Sequence, residues 1–288
     1  MWQRGVGMGE RCGCGEAFPA CGFWQEVGAA AFDGWDNVDL EHFARLRAAV
    51  DRTRFIPLLA IPTMHPSRRR LLDDYVSYYL KLYTAIRQVS GCSVIVDSSK
   101  HASLAFCLRS SAELDLRVIH LVRDSRAVAY SWSRKVLRPD TATPSYMATY
   151  TASGAAWPWT SQNAAMQLFA RSGTPTLRVR YEDLITATEA TLARIATFAG
   201  LPATVGRLGF LGGDESGRWA DLDAAHTASG NPMRFATGRI PIRLDEVWRT
   251  AMPTARRRTV TALTLPLLLH YGYSSRVRAT PEANRVRR

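Results

Sequence analysis

Three short stretches carry residues whose types and spacing suit chemistry. In Val118-Ile-His-Leu-Val-Arg-Asp-Ser-Arg-Ala-Val-Ala-Tyr-Ser131 an apolar run ends on Arg123, and a hydroxyl, Ser131, follows eight positions later. A guanidinium offers a planar donor fork matched to phosphate oxygens. If Asp124 or Ser125 caps a helix there, Ala127 and Ser131 are four apart on one face, and small side chains leave room for a ligand. Arg123 and Ser131 could then hold one phosphate between them. The alternative is Arg123 paired with Asp124, and Ser131 as helix filler. The second stretch, Asp97-Ser98-Ser99-Lys100, closes another apolar run with a carboxylate, two hydroxyls and one of only three lysines. Lys100 offers a compact ammonium, unlike an arginine fork, and Asp97 a carboxylate that could take a proton. Asp97 could equally cap a helix or pair with Lys100. Ser98 and Ser99 suit capping or ligand hydrogen bonds, and no Gly-x-Ser-x-Gly elbow supports a nucleophilic serine. The third stretch begins at Tyr181-Glu-Asp-Leu.

These groups need elements to position them. Val94 to Val96, Val118 to Val122 and Thr176 to Val179 are short apolar runs, each followed by a helix-like segment. Short strands alternating with helices predict an α/β fold, a buried parallel sheet flanked by helices. Ligands collect at the carboxyl ends of such strands, where Asp97, Lys100, Arg123 and Tyr181 fall. Residues 40–52 and 69–89 have helical spacing, with Leu72, Tyr75, Val76, Tyr79, Leu80 and Tyr83 as one stripe. Residues 1–25, rich in Gly and Cys, read as loop. Leu263 to Leu269 reads as part of a core helix kinked near Pro266.

Composition narrows the function classes. The 288 residues carry 37 Lys plus Arg against 25 Asp plus Glu, a formal charge of +12, with 47 % apolar residues. That is globular composition, not a disordered or disulfide-stapled chain. A charge of +12 permits a nucleic acid, an acidic lipid or a small polyanion as partner. Yet 34 of the basic residues are Arg, a skew that resembles a genome-wide bias. No zinc finger, aromatic RNA-binding motif or basic zipper is present, so nucleic acid is not the expected partner. No apolar run approaches the roughly 20 residues of a membrane span. Five cysteines, with no signal-peptide pattern, suggest a reducing, cytoplasmic setting. Cys12, Cys14 and Cys21 lack paired two-residue gaps, and the nearest histidine, His42, falls on a predicted helix. A loop-packing role is expected for them, and no metal. His120, inside an apolar strand, reads as a buried hydrogen-bonded residue, His101 as a surface residue of a helix's first turn, and His226 as a loop residue. Trp157-Pro-Trp159 reads as helix-start packing or as the wall of an acceptor pocket.

The segment Arg123 to Ser131 resembles the 3′-phosphate-binding motif of PAPS-dependent sulfotransferases (PAPS is 3′-phosphoadenosine 5′-phosphosulfate). The resemblance extends through Tyr181-Glu-Asp-Leu, Glu189-Ala-Thr-Leu, Gly200-Leu-Pro and Ser229-Gly-Asn-Pro-Met-Arg-Phe235, and Cys12-Gly-Cys-Gly and Cys21-Gly-Phe-Trp24 look like bacterial members. It implies a P-loop NTPase-like core in a single domain over 1–275, with a disordered basic tail at 276–288. It implies sulfuryl transfer from PAPS to an alcohol, sugar or amine, leaving PAP. Arg123 and Ser131 would hold the 3′-phosphate, with Tyr181 by the adenine and Arg234 or Arg239 on a closing loop. Lys100 and Asp97 would be the cation and base, Ser98 and Ser99 cofactor contacts. The family begins with a strand and a Gly/Ser loop that cradles the 5′-phosphosulfate. No apolar strand precedes Gly5, Gly7 and Gly9, so the core reads as N-terminally incomplete. Two alternatives follow: an inactive or truncated PAP-binding remnant, and a basic nucleic-acid-binding protein. The acceptor and the oligomeric state are not readable from the sequence.

Overall fold

The computed structural model describes residues 1–61, 64–139, 145–201, 208–215 and 217–274; the tail at 276–288 lies outside them. Helices α1 (Gly22–Phe32), α2 (Leu40–Val50), α3 (Ile56–Ala60) and α4 (Pro66–Ser90) make up the first part of the chain, and α5 (Ala102–Leu108) packs beneath them. Asp39 caps α2 by accepting from His42 N at 2.7 Å. α4 starts on Pro66, whose missing N–H would have no helical partner anyway, and stops at Gly91 in the left-handed region, φ 67°. Its buried stripe is Leu72, Tyr75, Val76, Tyr79, Leu82 and Ala85, with Leu80 and Tyr83 partly buried at its edge.

Residues 1–25 are loop only in part: a π-helix spans Trp2–Gly7, a 3₁₀ turn Phe18–Ala20, and α1 begins at Gly22, with turns between them. Trp2 is buried against Phe32, Trp35, Phe43, Tyr78 and Tyr79, and Phe18 stacks on Trp24 at 5.0 Å between centroids. Two aromatic anchors provide the apolar area that the surrounding Gly and Cys lack. Gly5 is a packing glycine: a Cβ there would lie 2.9 Å from the Phe18 ring.

The second part is α/β, with a parallel sheet flanked by helices. β1 (Val118–Val122) runs into α6 (Ser125–Ser133), then a small hairpin of β2 (Leu137–Arg138) and β3 (Ser145–Tyr146), then α7 (Ala152–Phe169). The chain returns as β4 (Thr176–Arg180), parallel to β1 in the register Val118↔Thr176 to Val122↔Arg180. α8 (Tyr181–Thr186) and α9 (Thr188–Phe198) follow. An antiparallel sheet of β5 (Leu211–Asp214), β6 (Gly217–Leu222) and β7 (Gly238–Pro241) then leads to α10 (Trp248–Ala251) and α11 (Thr254–His270). α11 packs on α7 and α6, burying Val260, Thr264 and Leu268, while Leu263 and Leu269 stay about half exposed. Only one stripe of that leucine-rich segment is core.

Two expectations about the sheet need correction. Val94 to Val96 forms no strand, and Val96 is 83 % exposed. β propensity does not make a strand without a partner ladder, and among the described residues β1 and β4 pair only with each other. Nor is β1 covered on both faces: His120 and Val122 are buried, Ile119 and Leu121 exposed.

Candidate functional site

The carboxyl ends of β1 and β4 lie side by side, because Val122 and Arg180 are register partners. Arg123 leaves β1 there and Tyr181 leaves β4. The Arg123 guanidinium lies over the Tyr181 ring, 4.3 Å from its centroid, within cation–π range. Arg123 Nη2 donates to Asp245 Oδ2 at 2.8 Å and to the Asp245 carbonyl at 3.2 Å. Its Nε is buried without a partner among the described residues. The Arg123 carbonyl accepts from the buried Trp159 indole at 3.0 Å, fixing the backbone from α7. Arg123 is therefore a positioned, about one-fifth exposed cation, paired with Asp245 and keeping one buried donor without a partner among the described residues.

Arg123 does not pair with Asp124. Asp124 caps α6 through Arg126 N at 2.8 Å and holds the Arg126 side chain at 2.9 and 2.6 Å, all of it buried. Ala127 leaves no ligand space, correcting the expectation: it is 2 % exposed and packs with Trp248, Met252 and Val260. A small residue there lets α6 approach the C-terminal helices. Ser131 is exposed, and its hydroxyl has no partner among the described residues.

Asp97, Ser98, Ser99 and Lys100 are all exposed on the segment before α5. Asp97 Oδ1 accepts from Ser99 N at 2.8 Å, an Asx turn, and Oδ2 accepts from the Tyr83 hydroxyl at 2.6 Å. Burial, and then Asp97 itself, hold the Tyr83 phenol far above its ordinary range, so it stays a donor. Lys100 has no ion pair among the described residues, Asp97 included.

The late-loop arginines do different things. Arg234 donates to Thr227 O at 2.7 Å and to Arg11 O at 2.8 Å, clasping the N-terminal segment. Arg239 is exposed over the Trp219 ring at 5.0 Å. His120 is buried as expected, bonded to Asn163 Oδ1 at 2.9 Å, and burial pushes it below the ordinary imidazole value. Trp159 is packing, whereas Trp157 is 75 % exposed. An open cleft of about 440 Å³ lies elsewhere, between α1, α2 and α4, lined by Phe32, Asp33, His42, Tyr78 and Lys81, and touches none of these residues.

Asp245 and Arg180 were not among the sequence candidates. Arg180 had a legible sign, since it directly precedes Tyr181 at a strand end; its Nε too is buried without a hydrogen bond among the described residues. Asp245 had none. The fold also gathers Cys12, Cys14 and Cys21 with His226, a histidine the spacing could not supply. Burial pushes the Cys12 thiol up to about 12. Burial also raises Cys14, but the Glu16 backbone N–H and the neighbouring thiols outweigh it and bring Cys14 below its ordinary value.

The α/β core sets Arg123 and Arg180 at adjacent strand ends, with Arg123 over the Tyr181 ring. A model of the sulfotransferase family matches residues 29–205, which include β1, α6, β4 and Tyr181. The chain belongs to the sulfotransferase family. No match was found among curated proteins or solved structures. No helix of the described residues is long and apolar enough to cross a membrane.

Proposed function

We propose that this sulfotransferase takes its sulfuryl group from PAPS and passes it to a small alcohol, sugar or amine. The observation that carries the reading is Arg123: a strand-end guanidinium, set over Tyr181, with a buried unused Nε. In this reading the 3′-phosphate displaces Asp245 from the guanidinium and takes the Ser131 hydroxyl as a second donor. Tyr181 lies by the adenine, Ser98 and Ser99 supply hydrogen bonds to the donor, and Arg239 closes over it. Arg234 closes the site only if it leaves its carbonyl partners. The acceptor oxygen or nitrogen attacks sulfur as the bond to the 5′-phosphate oxygen breaks. Lys100 offsets charge on that leaving oxygen, and Asp97 takes the acceptor's proton. PAP titration into the purified chain, followed by calorimetry, tests the donor assignment. Saturable binding at micromolar PAP is expected; no heat at millimolar PAP discards it.

A second reading, PAP binding without transfer, is favoured by the N-terminal glycines: Gly5 makes room for Phe18 rather than for a phosphosulfate. Transfer of labelled sulfate to a panel of alcohols and amines separates the two. Turnover supports the transferase, and binding without turnover supports the second reading.

A further inference from the structure

Cys12, Cys14 and Cys21 come from one turn-rich stretch, and His226 from the loop after β6, 205 residues beyond Cys21. One donor atom from each lies within 4.8 Å of all the others. Cys14 Sγ and Cys21 Sγ are 3.7 Å apart, and His226 Nδ1 is 3.3 Å from Cys21 Sγ and 3.8 Å from Cys12 Sγ. A tetrahedral ion with bonds of about 2.3 Å to sulfur and about 2.0 Å to nitrogen separates its sulfurs by about 3.8 Å and sulfur from nitrogen by about 3.5 Å. These three spacings lie within about 0.3 Å of those values. The set is built as a site. Gly13, between the first two cysteines, donates its N–H to Thr227 O at 2.9 Å, and a Cβ there would fall 2.3 Å from Ala225 O and Thr227 Oγ1. Only glycine lets the two loops close. Phe23 stacks on the His226 ring at 5.0 Å and 13°, fixing its plane. Arg234 bonds the carbonyls of Arg11 and Thr227, each next to a donor residue.

We propose that Cys12, Cys14, Cys21 and His226 bind one zinc ion as a structural site joining the N-terminal segment to the loop after β6. Three sulfurs and one imidazole nitrogen in a closed tetrahedron select zinc over the oxygen-loving cations. On binding, the three thiols release their protons to solvent, and zinc with three thiolates and a neutral imidazole carries one net negative charge, beside Arg234. Four protein donors leave no open position, so the ion is structural, not catalytic. A Cys14–Cys21 disulfide is the rival use of these thiols, but its sulfurs would sit at about 2.05 Å and leave Cys12 and His226 without a role. The site lies outside the span that matches the family model. Apart from Arg234, the site shares no residue with the donor assignment, and its metal readout does not depend on PAP binding.

The test is elemental analysis and native mass spectrometry of the full chain, purified without chelator from zinc-supplemented cells. About one zinc per chain is expected, falling below about a tenth in Cys21→Ser and in His226→Ala but retained in Cys92→Ser, which changes an exposed thiol outside the cluster. If those variants fail to fold, cobalt replacement in the unaltered chain decides. Intense tetrahedral visible bands with a thiolate charge-transfer band support the site. A weak octahedral spectrum overturns it. So does metal-free protein with a Cys14–Cys21 disulfide, or zinc that persists in both cluster variants.

Discussion

Arg123 and Arg126 lie three residues apart on the same junction, and their surroundings assign them opposite work. Arg126 is 3 % exposed and locked to buried Asp124, with its guanidinium 4.9 Å over Trp248. Removing it strands a buried carboxylate, so Arg126→Ala should cost roughly 3–5 kcal/mol of stability, read as a lower denaturation midpoint. Arg123 is about one-fifth exposed and has an unused donor. Arg123→Ala should leave the midpoint almost unchanged and weaken PAP binding by roughly 1.5–3 kcal/mol, about ten- to 150-fold. Unchanged PAP affinity removes Arg123 from the site. Asp245 adds a sharper test, because it competes with an incoming phosphate for the same guanidinium. Asp245→Asn should tighten PAP binding several-fold. Weaker binding would mean that Asp245 orients Arg123 rather than occupying it.

At the scale of elements, much was legible where a pattern reports its own burial. The α4 stripe falls where Leu72, Tyr75, Val76 and Tyr79 put it, and β1 and β4 follow their apolar runs. Val94 to Val96 misled because a strand needs a neighbour, which no run of β-branched residues contains. Ala127 misled because the space beside a small residue belongs to whatever packs there, here Trp248 and Val260. The His120 contact between β1 and α7 carries a pH prediction. Asn163 Nδ2 donates to Trp159 O at 2.7 Å, which turns its Oδ1 toward His120 and makes His120 Nε2 the donor. Burial disfavours the imidazolium, so the folded pKa lies below the unfolded value. The unfolded chain then binds more protons in the window below about pH 6.5, and stability falls as the pH drops through it. The slope from this one group is at most about 1.4 kcal/mol per pH unit. Denaturant unfolding from pH 7 to 5 should show a shallower decline for His120→Gln than for the unaltered chain; equal slopes would locate the proton elsewhere.

Across the whole molecule, contacts between distant residues were the least legible. No spacing rule connects Cys21 to His226, or Arg123 to Asp245; the turns and strands between them decide both meetings. Net charge is the whole-molecule property that was legible, and it sets two readings against each other. The chain carries +12, but several arginines are already engaged: Arg117 with Asp115, Arg126 with Asp124, Arg138 with Glu10, Arg249 with Glu246. A nucleic-acid-binding protein must leave its cations free along one face, and one that contacts six to ten phosphates loses roughly 10³–10⁵ in affinity between about 50 and 200 mM salt. A pocket for PAP gathers its few charges at a partly buried point, where salt screens less. Duplex DNA anisotropy and PAP calorimetry, each at about 50 and 200 mM salt, should therefore diverge. DNA binding is expected to be weak at the lower salt, absent at the higher, and displaced by PAP only where the two share Arg123. PAP affinity should change by less than about tenfold. Tight DNA binding that survives the higher salt and ignores saturating PAP would make the basic surface, and not Arg123 and its strand-end neighbours, the working part of the molecule.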